Sequence, residues 1–263
     1  MIILHEPEGV LVAVRQPDHA AVAAQLAENW QRPRALPQPL WQRFLYAVRH
    51  HDDGWLAYEL TPALDQEQRP CGFGDLPTAR HIAIWRRSIA LAQRHDPYAG
   101  LLVAQHARCL FTRHADEIDP ADQRQAQCFI NELATHIDRT IDSLAHATAP
   151  DALAVEPAAL GTAACLLALF DTWSLALLGA VPFGPLPAVC YGIDRTAFEV
   201  RPQEPPNRYR VSPWPFGPAS LVLQVTAQRL PQATYADPSA LAATLAAAPV
   251  HTLAWTLESP APT

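Results

Sequence analysis

No stretch of this chain reaches the roughly 18 uninterrupted apolar residues that mark a membrane-spanning helix. The nearest, Ala163 to Phe170, is cut by Asp171. The start, Met1-Ile2-Ile3-Leu4-His5-Glu6, has neither the basic end nor the apolar core of a signal peptide. Five cysteines, at 71, 109, 128, 165 and 190, are odd in number and form no C-x-x-C pair, which excludes a disulfide framework and a zinc ribbon. The expectation is a cytoplasmic protein with reduced thiols and no membrane partner. Basic charge is also in deficit. At a net charge of -7 the chain is a poor match for nucleic acid as a main partner, because phosphate binding needs a basic surface. Internal repeats and charge runs are absent. Against these absences stands a hydrophobic content of 49%, enough for a sizeable core in a chain of 263 residues.

What is present is a series of helix patterns that turn polar residues inward. Ile2-Ile3-Leu4 and Val10 to Val14, split by Pro7-Glu8-Gly9, read as a hairpin over 1–15. Gln16-Pro17-Asp18-His19 opens a helix whose core face is Val22, Leu26 and Trp30, and His19 shares that face. The spacing of Trp41, Phe44, Leu45 and Val48 predicts a second helix, which delivers His50-His51-Asp52-Asp53-Gly54-Trp55 at its end. An adjacent imidazole and carboxylate are costly to bury unpaired and suit a divalent metal. Leu56 to Pro77, with three prolines and two glycines, reads as a long loop placed to act as a lid. A helix from Thr78 carries His81 beside Ile84 and Trp85, and another from Asp96-Pro97 carries His106 on its apolar face. His95, His114, His136 and His146 fall off such faces and are expected in solvent.

A charged amphipathic helix over 120–147 follows, with Phe129, Leu133, Ile137 and Leu144 inward. Leu160 to about Gly179 is apolar all round and therefore central, yet Asp171 sits in its middle. No Lys or Arg occurs between Ala152 and Cys190, so a metal ion is the economical counter-charge. Beyond Pro182, prolines puncture short strand-like runs at Phe198–Val200, Tyr209–Val211, Leu221–Ala227 and Thr252–Leu257, with an Ala-rich helix at Pro238–Ala248. The fold class that follows is mainly α, in keyword terms all-alpha: a helical bundle with a small antiparallel β-sheet. That sheet is built from the N-terminal hairpin and the C-terminal strands and packs on the bundle. A single domain over 1–263 is expected, with a helical core at about 16–180 and a β-rich part at about 195–263.

His19, His51, Asp52, His81, His106 and Asp171 thus come from different helices, and four imidazoles with two carboxylates match the needs of two first-row metal ions. The order His…His-Asp…His…His…Asp resembles the HD-domain superfamily of metal-dependent phosphohydrolases. The resemblance implies that His19, His51, Asp52 and Asp171 bind one metal and that His81 and His106 match the extra ligands of dinuclear members. A closer resemblance, over nearly the whole chain, is to an uncharacterised bacterial family with Gln-x-x-His, His-Asp-Asp-Gly-Trp and Pro-Trp-Pro-Phe motifs. Here these are Gln16 to His19, His51 to Trp55 and Pro213 to Phe216. The same ligand order resembles the mixed-valent diiron oxygenases of the HD superfamily. Three functions follow: hydrolysis of a small-molecule or nucleotide phosphoester, oxygenation of a small organic substrate, or non-catalytic binding around a structural metal.

The catalytic assignments are Asp52, Asp53 as an orienting carboxylate, and Arg49. The last stands with Arg15, His50, Arg80, Arg86 and Arg87 as groups able to neutralise phosphate. Gln16, His50, Trp55, Trp85 and Tyr98 are expected to line the substrate pocket, with Tyr58 and Phe73 as further aromatic walls. The cofactor expected is two divalent or mixed-valent metal ions, iron first and Mn, Mg or Zn as alternatives, and the partner is a small-molecule substrate. Metal identity, substrate and oligomeric state, a homodimer included, do not follow from the sequence.

Overall fold

The computed structural model describes residues 1–6, 10–183, 198–231 and 233–260. Within them, strands β1 (Ile2–His5) and β2 (Leu11–Val14) pair antiparallel, with Ile2 opposite Val14. The Pro7-Glu8-Gly9 turn expected between them lies outside the described residues. β2 pairs with β5 (Ser220–Leu230), β5 with β6 (Val250–Glu258), β6 with β4 (Arg208–Ser212), and β4 with β3 (Glu199–Gln203) at the far edge. Along β5, Leu221, Leu223, Val225 and Ala227 are buried while Val222, Gln224 and Thr226 are exposed, the period of a sheet with one wet face.

This corrects the expected class. The chain is an α/β fold with a curled, half-barrel sheet of six strands, neither mainly α with a small sheet nor all-alpha. The sheet is also mixed, because β4 runs parallel to β6 from Arg208 opposite Thr256. Each strand-like run is short when read alone. What enlarges the sheet is the pairing of β5 with β6 from Ser220 to Gln228, a contact that no local pattern encodes.

Nine helices occur among the described residues: α1 (Gln16–Asn29), α2 (Gln38–His50), α3 (Trp55–Tyr58), α4 (Thr78–His95), α5 (Pro97–Arg113), α6 (Gln123–Ala145), α7 (Ala149–Ala154), α8 (Pro157–Leu177) and α9 (Pro238–Ala247). Proline occupies the first helical positions of α1, α2, α5, α7, α8 and α9, where its missing N–H costs nothing and its φ is already helical. α8 is long and apolar enough to cross a membrane by length and composition. Most of it is instead buried against α1, α2 and α5, which makes it the core helix.

The sheet is tied to this bundle at α1. The Gln25 amide bonds both backbone groups of Gln224 on β5, at 2.8 and 2.9 Å. The Pro213-Trp214-Pro215-Phe216 stretch closes over the end of the same helix. Gln31 N–H donates to the Pro215 carbonyl and Gly217 N–H to that of Asn29, both at 2.9 Å. Phe216 is buried edge-on to Trp30 with ring centroids 5.4 Å apart. That motif therefore serves the fold rather than the site.

The expected long loop from Leu56 to Pro77 is packed structure. It holds α3, a bridge between Leu64 and Pro70 and a 3-10 turn at Phe73–Asp75. Trp55, Tyr58, Cys71, Leu76 and Ile84 form a small core of their own beneath it. Cys71 and Cys128 carry free thiols, whereas Cys109 is in a disulfide, against the expectation of reduced thiols throughout.

Candidate metal centre

The end of α2 is shaped by α4 crossing above it. A Cβ on Gly54 would stand 2.2 Å from the Ile84 carbonyl oxygen, and the Gly54 N–H donates to Ser88 Oγ at 2.9 Å. Only glycine permits that approach, and it sets the turn that carries His51 and Asp52 inward. His51 Nδ1 lies 2.8 Å from the Val48 carbonyl. A carbonyl only accepts, so Nδ1 carries the hydrogen and Nε2 points into the site, 3.3 Å from Asp171 Oδ1.

The same logic orients His19. The Ser174 hydroxyl donates its one hydrogen to the Asp171 carbonyl at 2.7 Å. It must therefore accept from His19 Nδ1–H at 2.8 Å. His19 Nε2 is left facing Asp52 Oδ2 at 2.9 Å and Asp171 Oδ1 at 3.7 Å. His106 Nε2 lies 3.4 Å from Asp171 Oδ2, and its Nδ1 is buried without a partner. One ligand atom each from His19, His51 and Asp171 falls within 4.8 Å of the others, a spread that one ion spans with small side-chain adjustments.

The donor set fits a divalent cation on chemical grounds. Asp52 and Asp171 are both buried, and among the described residues only imidazoles stand within ion-pair distance of them. Burial is the largest single influence on each carboxyl and pushes it up. The neighbouring imidazoles outweigh it, leaving Asp52 below and Asp171 well below the usual carboxylate range. Burial likewise opposes charge on His51, but Asp52, Asp171 and the Val48 carbonyl raise its pKa to about 9. Without a metal, a proton on His51 supplies positive charge to the two carboxylates. With Nδ1–H committed in both His19 and His51, Nε2 is the nitrogen that each presents to a metal.

The cluster forms the floor of a cavity of about 900 Å³. Gln16, Trp55 and Trp85 line it, with Phe73 on one wall, and so does His81, expected as a metal ligand. His81 stands apart from the tight group: its ring is edge-on to Trp55 at 5.8 Å, and burial lowers its pKa. Other assignments fall elsewhere. Arg49 is exposed, and Asp53 bonds His50 at 2.8 Å in the turn after α2. His50 packs on Tyr46, with centroids 4.3 Å apart. Tyr98 is fully buried in the core with the Arg43 guanidinium over its ring. Arg80 lies over Tyr58, Arg86 pairs with Glu132, and Arg15 and Arg87 are exposed. None of the five arginines expected to meet phosphate lines the cavity.

Ser174, Ser88 and Glu59 were not anticipated. Ser174 follows Asp171 by three residues on the same buried face, which is the signal that marks it as its neighbour's support. Glu59 Oε1 accepts from the Gln16 backbone N–H and from the amino group of Met1, each at 2.9 Å, and so anchors the start of α1 beside the site.

The profile of one family matches residues 1–232, and the chain belongs to that family, described as "Protein of unknown function (DUF3891)". No curated protein and no solved structure matches it.

Proposed function

We propose that this chain is a metal-dependent hydrolase of the HD type that cleaves the phosphoester of a small molecule. The observation that carries the reading is the meeting of His19, Asp52 and Asp171 at an open cavity, with His51 Nε2 3.3 Å from Asp171 and both histidines locked through Nδ1. These four residues would hold the ion. A bound divalent ion supplies a water of lowered pKa and a counter-charge for phosphoryl oxygens. Asp52, hydrogen-bonded to His19 and bordering the cavity, would be placed to take a proton from an attacking water. Water oxygen bonds to phosphorus, the ester P–O bond breaks, and the proton ends on the departing alcohol oxygen. Because the cluster borders a cavity rather than being closed by protein, the arrangement favours catalysis over a purely structural ion.

A second reading, a diiron oxygenase acting on a small organic substrate, is favoured by one observation: His81 and His106 line the same cavity. Hydrolysis stands ahead because it needs only the tight four-residue set, while His81 stands apart from it. Elemental analysis of protein purified without added metal, with assays of phosphate release and dioxygen uptake, separates the two. About one divalent ion per chain, with metal-dependent phosphate release lost in Asp171→Asn, supports hydrolysis. About two irons per chain with dioxygen uptake and no phosphate release supports oxygenation. Protein that binds neither manganese nor iron overturns both.

A further inference from the structure

We infer that the substrate of this site is a phosphomonoester with an apolar body, an alkyl or aryl group of about phenyl size or larger, packed on the cavity wall beside the ion site. The inference rests on the metal-hydrolase reading. Its basis is the division of polarity within the cavity. The deepest lining residues are the cluster itself: His19, Asp52, His106 and Asp171, all buried. One turn beyond His106 on α5 stands Leu110, and one turn beyond Asp171 on α8 stands Leu175. Residues four apart share a helix face, so both leucines continue the line of the cluster, and both line the cavity. They are less buried than His106 and Asp171, which sets them further out. Phe111 and Ile118 extend this wall from the end of α5 and from just past the 3-10 turn Ala115–Glu117, and the Trp85 ring joins it to the floor, 5.6 Å from His106.

The wall selects against the common alternatives. A sugar or glycerol phosphate would bring hydroxyls against Leu110, Phe111 and Leu175, which cannot pair them, and each unpaired hydroxyl costs binding. Among the described residues, Arg113 is the sole Lys or Arg lining the cavity and is already engaged, so the wall has no free cation for a second phosphoryl group. An apolar body instead covers what Leu110, Ile118 and Leu175 leave accessible, since each is only partly buried where it lines the cavity. Trp85 and Phe111 add aromatic surface of the kind that packs on a ligand ring. A volume of about 900 Å³ leaves room for such a body beyond the phosphoryl group.

Calorimetric titration of the full chain loaded with Mn²⁺ tests this with benzylphosphonate against 2-hydroxyethylphosphonate, and with inorganic phosphate as a third probe. Phosphonates carry carbon in place of the ester oxygen and are not turned over during the titration. Benzylphosphonate should bind at least about tenfold more tightly than the hydroxyethyl compound. In the double variant Leu110→Ala with Ile118→Ala that ratio should fall by at least about threefold, with the affinity for inorganic phosphate unchanged. Ile118→Ala alone, at a partly exposed position, carries the same test if the double variant does not fold. Equal affinity of the parent for the two phosphonates, with inorganic phosphate still binding, overturns the apolar subsite and leaves the hydrolase reading standing. A preference undiminished in the variants also overturns it. If the Mn²⁺-loaded chain binds none of the three probes, the inference falls together with the phosphoester reading.

Discussion

A histidine is a dependable metal ligand when its other ring nitrogen is already committed, and here Ser174 and the Val48 carbonyl perform that task for His19 and His51. Ser174→Ala would free the His19 ring to adopt the wrong tautomer. Metal affinity should then fall by roughly 10–100-fold, the usual effect of losing such a support. Competition against a chromophoric chelator measures this, and an unchanged affinity would show that Ser174 does not set the tautomer. Gly54 acts at the same scale through space rather than charge. Gly54→Ala forces a methyl against the Ile84 carbonyl at 2.2 Å, so either α4 or the His51-Asp52 turn must shift. The expected cost is about 1–3 kcal/mol of stability, with metal affinity falling alongside it. A denaturation midpoint and affinity both equal to the parent's would contradict this account. The buried His/Asp cluster was legible because an inward His or Asp on a helix face is costly and so stands out. Ser174 was not, since a serine in an apolar helix is chemically unremarkable until its neighbour's geometry is known.

The elements are held in place partly by a clamp remote from the site. Asp96 caps α5, accepting Tyr98 N–H at 2.8 Å, and takes both Arg43 Nε and Nη2 from α2 at 2.6 and 2.7 Å. Arg43 also reaches Asp151 on α7 at 2.8 Å, joining three helices. Burial pushes the Asp96 carboxyl up, but Arg43 and the α5 N–H groups outweigh it, and its pKa is lowered in the folded protein. A carboxyl depressed on folding contributes stability that is present above its unfolded value, about 3.9, and lost as pH falls through the folded one. Asp96→Asn should therefore cost about 1–2 kcal/mol near neutrality and flatten the loss of stability below about pH 4. Urea melts at several pH values check it, and a parallel offset of the two curves at every pH would be the contrary result. At this scale the sequence was informative wherever period and punctuation agreed: the start of α5 at Asp96-Pro97, the apolar α8, and the alternation along β5. It was uninformative about the partner of each strand, because the parallel contact of β4 with β6 joins residues about 50 apart by tertiary packing alone. It read Leu56 to Pro77 as a loop but could not show that this irregular backbone is packed on a small core, which has no repeating period.

In the whole molecule, the candidate ion site lies where α1, α2, α5 and α8 meet, so a metal bound there would join the four central helices. Among the described residues only imidazoles stand within ion-pair distance of Asp52 and Asp171 in this core, and burial works against the charge on His51. A divalent ion replaces it with a charge that binds only the folded chain, so it must stabilise the fold by mass action. At a free ion concentration of about 100 times the dissociation constant the gain is about 2.7 kcal/mol, a rise in melting temperature of roughly 5–10 °C for a chain of this size. The position of each histidine grades the effect. His106→Ala removes an imidazole 3.4 Å from Asp171 and should reduce the rise, whereas His81→Ala, outside the tight group, should reduce it only if a second ion binds. Asp171→Asn removes the carboxylate on which three imidazoles converge and should abolish the rise altogether. Thermal melts of the four proteins with Mn²⁺ and then with excess chelator, paired with elemental analysis, give the answer. A rise in Asp171→Asn equal to that of the parent would place the ion elsewhere, because no other carboxylate among the described residues meets His19, His51 and His106 together.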